Sequence, residues 1–415
     1  MTKAVHTYKS ISQPVGLPGW SLSRVILAVV LLITTNLALS SCAALPMRNA
    51  LPEQYVQEAQ IEDMPFARFW GDEVPADWGA QLSEIKKQAG PLDPQVKDRM
   101  VNYLAISGGG ANGAFGAGLL AGWTAAGNRP EFGIVTGVST GALIAPFAFL
   151  GPEQDAQLKK FYTTTSTGDI ITRRTILSIF RGVSISDSEP LQETLTKIFD
   201  QQMLDAIAAE HARGRRLFVG TTNLDAGRPV IWNIGAIAAS KHPRATELVV
   251  DVLLASASIP GVFPPVYIEV AAGGEEYDEM HVDGGTSAQV FLFPASLDAR
   301  KIDQKFGIKA TYRLFLIRNA RMTSEWEAVE PRVARIATRS VSTMVLAQGM
   351  GDMYRIYFRT QEEGIDYNLA FIPEDFTIKS KELFDPEYMS QLFDLGYRMA
   401  EGGYPWQKKP VGFVH

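Results

Sequence analysis

Ser139 is the serine of the stretch GVSTG, residues 137–141, and its surroundings suit a nucleophile. Glycine, any residue, serine, any residue, glycine is typical of a sharp turn from a strand into a helix, which raises the serine hydroxyl above the end of a sheet. An apolar run, FGIVTGV, leads into the turn, and a helical pattern, TGALIAPFAFLG, leaves it. We therefore expect Ser139 to attack an ester carbonyl, with a serine in an ordinary turn as the alternative.

A glycine-rich stretch, SGGGANGAFGAG at residues 107–118, also stands between a strand pattern and a helix pattern. Consecutive glycines leave backbone N–H groups unshielded at the positive end of the following helix, so this turn is suited to an anion. The anion could be a phosphate or a catalytic oxyanion. Gly108, Gly110 and Gly113 fit the dinucleotide pattern GxGxxG, but Glu131 precedes the second strand instead of ending it, which disfavours a nucleotide.

The base that would activate Ser139 is not evident among the five histidines. His6 lies near the amino end, His211 and His242 have polar neighbours, and His415 is the last residue. His281 stands two residues before Asp283, so on a strand both side chains would face the same side. A structural role for His281 is the favoured interpretation, with a catalytic one left open.

Asp283 is the stronger candidate base, because the glycines of DGG allow the chain to turn just as a strand ends. The carboxylate would then lie at the edge of the sheet. An aspartate of ordinary pKa, about 3.9, is a weak base toward serine, so the site must bury it and hold it within hydrogen-bonding reach. Taken alone, DGG fits a tight turn equally well.

The elements that must position these residues alternate between strands and helices. Apolar, β-branched runs predict strands at VNYLAI, FGIVTGV, LFVGTTNL, RPVIWNI, PVYIEV and YRLFLIRN. Helical patterns lie between several of them, at GAFGAGLLAGWTAAG, PLQETLTKIF and ATELVVDVLLASA. This alternation predicts an α/β fold with a mostly parallel sheet covered on both faces.

Four motifs in this order resemble the patatin-like phospholipases, serine acylhydrolases with a Ser-Asp dyad. They are the GGG loop, GVSTG, the block ASASIPGVFPPV at 255–266, and DGG, together spanning about residues 101–290. The resemblance implies a three-layer α/β/α sandwich with Ser139 as nucleophile and Asp283 as base. It also implies an oxyanion hole formed by the backbone of Gly108, Gly109 and Gly110. The implied activity is hydrolysis of lipid acyl esters, of phospholipase A or lysophospholipase type.

The chain departs from that family at two positions of the glycine loop. Many relatives begin the loop with Asp and carry Arg or Lys before its last glycine, whereas this chain has Ser107 and Asn112. These changes leave the backbone N–H donors of the loop in place, but they remove the cationic side chain that many relatives have there. Two alternatives therefore stay open: a catalytically silent envelope lipoprotein that binds lipid or a partner, and an acyltransferase or thioesterase that uses the same acyl-enzyme.

The amino end resembles a bacterial lipoprotein signal. The apolar run from Val25 to Ser40 is shorter than the ~20 residues of a membrane-spanning helix and suits a signal peptide. LSSC follows it, so we expect cleavage after residue 41 and lipid attachment to Cys42, the only cysteine of the chain. Ala43 resembles lipoproteins sent to the outer membrane, which predicts a lipid-anchored protein of the cell envelope facing the periplasm.

Composition and net charge limit the classes of partner that the protein is expected to bind. Apolar residues at 46% and charged residues at 20% are ordinary globular values. Removal of residues 1–41 takes away Lys3, Lys9 and Arg24 and no acid, so the net charge falls from −6 to −9. This disfavours nucleic acid as a partner and leaves attachment to the membrane to the acyl anchor. We expect a lipid ester as substrate, and no cofactor or metal.

We expect four regions: a signal peptide at 1–41, a leader at 42–98, a catalytic domain at 99–330 and a helical extension at 331–415 packed on that domain. Residues 170–184, an apolar stretch with three arginines, could line an acyl pocket, although an amphipathic core helix is the favoured interpretation. Arg332, Arg335 and Arg339 recur at helical spacing and could meet lipid headgroups, although a solvated helix face is favoured.

Overall fold

The structure is a computed structural model that describes residues 48–74, 99–173, 186–292 and 310–413, together with the single residues 79, 83 and 87. The described residues from Asn49 onward belong to one compact unit. The predicted signal peptide, Cys42 and most of segment 170–184 lie outside the described residues. So do His6 and His415.

The secondary structure of the described residues alternates along the chain as predicted. The strands are β1 Arg68–Trp70, β2 Arg99–Ile106, β3 Ile134–Val138, β4 Thr172–Arg173, β5 Ser186–Asp187, β6 Arg216–Asn223, β7 Arg228–Asn233, β8 Val266–Ala272, β9 Glu275–Asp283, β10 Ala310–Arg318 and β11 Asp366–Phe371. The helices are α1 Gly113–Ala125, α2 Thr140–Leu150, α3 Asp155–Thr164, α4 Thr167–Ile170, α5 Glu189–Ile198, α6 Gln201–Ala212, α7 Ile234–Ser240, α8 Ala245–Ala257, α9 Val333–Glu363 and α10 Pro386–Glu401. All six predicted strands are present, with small differences at their ends.

The main sheet has a parallel centre and antiparallel additions at one side. Its strands lie in the order β1-β7-β6-β3-β2-β10-β11. Five neighbouring strands of this order, β6, β3, β2, β10 and β11, run parallel to one another. Strands β7 and β9 both pair antiparallel with β6, and β8 pairs antiparallel with β9. Because the ends of parallel strands meet at one edge, the turns that follow β2, β3 and β10 lie together.

Helices cover both faces of this sheet. In β2, Leu104 and Ile106 belong to the core beneath α1, α2 and α10, whereas Tyr103 and Ala105 belong to a second core beneath α9. A strand buried on both faces must be apolar at successive positions, which is why VNYLAI reads as a continuous apolar run. The α/β sandwich with a mostly parallel sheet is thus confirmed.

The regions outside the predicted catalytic domain contribute to the same sheet. In the leader, β1 pairs antiparallel with β7. In the extension, which we expected to be helical, β11 pairs in parallel with β10 over six residues, Asp366–Phe371. Strand β11 was missed because its flanking helices dominate the local pattern. Among the helices of the described residues, none combines the length and apolar character needed to cross a bilayer.

Candidate active site

Ser139 stands on a strained turn between β3 and α2. Its backbone has φ 56° and ψ −128°, a combination that residues with a side chain rarely adopt. The flanking glycines allow the tight packing of this turn: a Cβ on Gly137 would lie 2.3 Å from the carbonyl oxygen of Gly141, and one on Gly141 would lie 2.2 Å from that of Ile106. This is the geometry expected of a nucleophile elbow.

A buried serine holds the backbone of that turn. The N–H of Ser139 donates to Ser256 Oγ (3.0 Å), and the hydroxyl of Ser256 donates to the carbonyl of Gly220 (2.7 Å). Ser256 is fully buried at the end of α8. The block 255–266 marked this region in the sequence, but nothing there indicated which of its serines would contact the elbow.

The pairing of β6 brings Asp283 to Ser139. Strand β3 pairs with β6 up to Val138 opposite Gly220, and β9 begins its pairing one residue further on, with Asp283 opposite Thr221. Because β3 is parallel to β6 and β9 is antiparallel, the carboxyl ends of the two strands meet beside β6. Two residues that are far apart in sequence therefore become neighbours.

Asp283 is buried and anchored on several sides. Its N–H donates to the carbonyl of Ser258 (2.9 Å), and its Oδ1 accepts from the N–H of Gly285 (2.7 Å). Burial raises the pKa of Asp283 to about 6, while the Ser139 side chain and the Gly285 N–H act in the opposite direction and favour the ionised form. Such a carboxylate is a better proton acceptor than an exposed one and is still ionised at neutral pH.

His281 is fully buried and its imidazole is engaged elsewhere. Its Nδ1 lies 2.9 Å from Thr221 Oγ1 and its Nε2 lies 3.1 Å from Glu279 Oε2. Burial lowers the pKa of His281, although Glu279 acts to raise it. Since both ring nitrogens have partners and Glu279 is paired with Arg68, this histidine belongs to a structural network. No histidine lines the cleft around Ser139 in the described part of the chain.

The glycine loop presents two free N–H groups instead of the three expected. The N–H of Gly108 already donates to the carbonyl of Gln289 (3.1 Å), so it is not available to an oxyanion. Within the described residues, the N–H groups of Gly109 and Gly110 have no acceptor. The Gly108 N–H is engaged in this way because the turn after β9 brings Gln289 against the loop, so Gly109 and Gly110 are the donors that the structure leaves free.

Asn319, which follows β10, holds the glycine loop through hydrogen bonds to Ser107 and Gly116. Its N–H donates to Ser107 Oγ and its Nδ2 donates to the Ser107 carbonyl, both at 2.9 Å. Its Oδ1 accepts from the N–H of Gly116 in α1 (3.1 Å). A Cβ on Gly109 would lie 2.2 Å from the Asn319 carbonyl oxygen, so only glycine fits there. Asn319 was not predicted from the sequence, although its place just after a strand of the sheet is a usable signal.

Asn112 contacts the carboxy-terminal helix. Its Oδ1 accepts a hydrogen bond from the hydroxyl of Tyr388 at the start of α10 (2.7 Å). The position that carries a cation in many patatin-like proteins is thus occupied here by a neutral pair. Ser107 binds Asn319 and donates to the carbonyl of Gly108 (2.8 Å), so it shapes the backbone of the loop.

An apolar cleft opens beside Ser139. Its free volume is about 30 Å³, so its walls lie close together, and it is open to solvent at one side. Its walls come mainly from aliphatic and aromatic side chains: Leu143, Phe161, Tyr162, Ile170, Leu191, Ala257, Ile259, Phe263, Phe384 and Met389. Gly110, Ser139 and Thr140 lie at its polar end. The apolar character of the cleft is suited to an acyl chain whose carbonyl reaches Ser139, and the walls must move apart to admit one.

Metal binding has no visible basis in the described part of the chain. There, no three His, Cys, Asp or Glu side chains are grouped so that they could hold a metal ion.

Comparison with known proteins identifies the domain. The sequence model of the family described as patatin-like phospholipase matches residues 104–296. Residues 104–296 form a patatin-like phospholipase domain. All four motifs that suggested the resemblance lie within the matched range. The patatin-like domain also includes Ser256, whereas Asn319 and Tyr388 lie outside it.

Solved structures resemble the chain only distantly. VipD from Legionella pneumophila is 11% identical, with 73% of this chain and 66% of that chain covered and a TM-score of 0.36. Human GIVD cytosolic phospholipase A2 is 9% identical, with 81% and 64% covered and a TM-score of 0.35. Its complex with methyl gamma-linolenyl fluorophosphonate is 11% identical, with 82% and 64% covered and a TM-score of 0.30.

The chain thus spans slightly less than two thirds of the length of these structures. No curated protein matches the chain in sequence.

Proposed function

We propose that this protein hydrolyses lipid acyl esters through a covalent acyl-serine, with Ser139 as nucleophile and Asp283 as base. The observation that carries the proposal is the meeting of β3 and β9 beside β6, which brings a strained serine against a buried carboxylate. The patatin-like phospholipase domain supports the same reaction class.

The first half of the reaction forms the acyl-enzyme. Ser139 Oγ attacks the ester carbonyl carbon while its proton passes to the Asp283 carboxylate. The carbonyl oxygen becomes an oxyanion, which accepts hydrogen bonds from the N–H groups of Gly109 and Gly110. As the tetrahedral intermediate collapses, the bond to the leaving alcohol breaks, and Asp283 returns its proton to that alcohol.

The second half repeats the chemistry with water. Asp283 accepts a proton from a water molecule that attacks the acyl carbon of Ser139, and the oxyanion forms again at Gly109 and Gly110. Collapse of this intermediate releases the carboxylic acid, and the proton on Asp283 returns to Ser139 Oγ. An acyltransferase would run the same step with another acceptor in place of water.

The lining of the cleft supports an apolar acyl group as the substrate, with the walls moving apart to admit the chain. Its aliphatic and aromatic walls end at Ser139, so the apolar chain of a phospholipid or lysophospholipid would lie inside while the rest of the molecule stays at the opening. We therefore propose activity of phospholipase A or lysophospholipase type. The neutral Asn112–Tyr388 pair means that no cation at that position would assist a phosphate-bearing headgroup.

The decisive test is covalent labelling with a fluorophosphonate, which reacts with activated serines. Wild-type protein should be labelled and should hydrolyse a short-chain ester, and Ser139→Ala should lose both properties. Ser258→Ala, which removes another buried hydroxyl near the site, is the matched control and should retain labelling. Undiminished labelling of Ser139→Ala would refute the nucleophile assignment. A lipid-binding protein without catalysis would show no turnover in any variant.

We further propose that the protein is a lipid-anchored envelope protein, attached through Cys42 to the outer membrane and facing the periplasm. The support is the apolar run that ends at LSSC and the absence of any other cysteine in the sequence. Given a mature net charge near −9, the acyl anchor would supply most of the attachment to an anionic bilayer.

A further inference from the structure

The amino-terminal half of α9 presents an apolar face that nothing in the described structure covers. Val333, Val341 and Met344 are 87%, 54% and 61% exposed, and Ile336 and Val345 are also exposed. Their spacing places all five on one side of the helix. Scattered exposed apolar residues are common in proteins, but a continuous helical face of this kind is not.

The polar side of the same helix faces the body of the protein. Arg339, Ser342 and Thr343 line a groove together with Arg321 and Ile372, and Arg339 donates to the backbone carbonyl of Glu325. A surface helix of a soluble protein normally buries its apolar side and exposes its polar side. Here Leu346 also lies in the groove, but the five exposed apolar residues point away from this protein's own core.

We infer that this face docks on a lipid–water interface. Charge contributes little to this docking, because Arg332 and Arg339 are paired with Glu330 and Glu327, so the apolar face itself must supply the attachment. Trp326, just before the helix, is 89% exposed, and tryptophan favours the headgroup region. An exposed apolar helix face with a tryptophan beside it is typical of helices that lie in a membrane surface.

The size of the face argues against a protein partner. From Val333 to Val345 it is about 18 Å long and about 10 Å wide, or roughly 200 Å². A specific protein–protein interface needs about 800 Å² on each side. A lipid surface requires no matching shape, so a narrow stripe suffices there.

The position of α9 near the cleft fits the proposed function. The link between docking and access to the cleft rests on that function. The groove beneath α9 extends to Asn112 and Tyr388, and Phe384 and Met389 nearby line the acyl cleft. Docking of α9 would therefore bring a lipid surface close to the entrance of the cleft. The docking itself does not depend on catalysis.

The test compares two labelled positions on opposite sides of the helix. In the full-length chain with Cys42→Ala, Met344→Cys or Ser342→Cys supplies the only thiol for an environment-sensitive nitrobenzoxadiazole dye. With vesicles of phosphatidylcholine and phosphatidylglycerol, the dye at position 344 should shift to the blue. A nitroxide carried on the lipid chains should quench it at least about threefold more than the dye at position 342. Adding Val341→Ser and Val345→Ser should abolish that difference.

Several outcomes would overturn the proposal. Equal responses at positions 342 and 344, or no response at 344, would show that this face does not enter the lipid. A blue shift of the dye at position 344 that appears in buffer alone and grows with protein concentration would show that the face binds a second copy of the chain. The same measurement in Ser139→Ala should be unchanged, which separates this proposal from the catalytic one.

Discussion

Ser139 combines an unfavourable backbone conformation with a full set of contacts that maintain it. A non-glycine residue in such a conformation costs about 1–3 kcal/mol, and the surroundings must compensate. Here the close approach of Gly141 to Ile106 and the hydrogen bond from the Ser139 N–H to Ser256 hold the turn. The Ser139 hydroxyl, the proposed nucleophile, is thus positioned by residues that have no part in the proposed reaction.

Ser256→Ala tests this positioning. The substitution leaves the N–H of Ser139 and the carbonyl of Gly220 without their buried partner, so we expect a loss of about 1–3 kcal/mol of stability. We also expect kcat for a soluble ester to fall about tenfold with little change in KM. Ser258→Ala removes a similarly buried hydroxyl, which donates to the carbonyl of Leu254, and should lose stability but keep kcat. Equal kcat values for the two variants would contradict the positioning role.

Asp283 should control the pH dependence of the reaction. As a base it must be ionised, and burial raises its pKa to about 6, so kcat/KM for a soluble ester should fall as the pH drops through about 6 and level off above about 7. Asp283→Asn should fold and should lose turnover. Activity retained in that variant would require another base.

The raised pKa of Asp283 also makes the stability of the protein depend on pH. Since the pKa of Asp283 is higher in the folded protein than the ordinary 3.8, its contribution to stability is present below pH 4 and is lost as the pH rises through 6. Asp283→Asn should therefore be more stable than wild type at pH 8, by about 1–3 kcal/mol, and not at pH 4. Asp251→Asn is the control, because burial raises the pKa of Asp251 to about 6 as well, but it lies outside the cleft. It should alter stability in the same sense and leave the pH profile of activity unchanged.

At the scale of elements, helices α1 and α10 approach each other closely through glycine. A Cβ on Gly118 would lie 2.0 Å from the carbonyl oxygen of Phe393, and one on Gly396 would lie 2.4 Å from that of Phe115. Because α10 also carries Tyr388 and Met389, this contact fixes one wall of the cleft. The carboxy-terminal extension therefore forms part of the candidate active site.

Gly118→Ala should separate the two helices. We expect a loss of about 1–3 kcal/mol in chemical denaturation, together with reduced turnover, since neither backbone can move alone. Gly351→Ala in α9 is the matched control: no atom lies within 4 Å of its added Cβ, so helix propensity should make it neutral or stabilising by up to about 1 kcal/mol. Similar losses in both variants would show that the close packing is not the cause.

At the scale of the whole molecule, lipid attachment should depend on a single side chain. Cys42→Ala removes the only thiol of the sequence, so metabolic labelling with a fatty acid should be abolished and the protein should no longer fractionate as an acylated species. The soluble-ester activity of correctly folded protein should be unaffected, because Cys42 lies outside the patatin-like domain. Labelling that persists in this variant would exclude the lipobox assignment.

The sequence alone determined the fold class, the strands and the turns at their ends. These features depend on periodicity and on the steric freedom of glycine, which act over a few neighbouring residues. The local pattern therefore sufficed to place GVSTG and the GGG loop correctly at strand-to-helix junctions. Strand β11 was not predicted, because its pairing with β10 is not encoded in its local pattern.

Only the tertiary structure decided which side chains meet. Asp283 contacts Ser139 and His281 does not, because the register of β9 on β6 sends the imidazole to Thr221 and Glu279. The loss of Gly108 as a donor follows from the approach of Gln289, and the neutral setting of Asn112 follows from Tyr388. Each of these contacts joins residues far apart in the chain, so its geometry is set by the packing of whole elements, which no short sequence pattern contains.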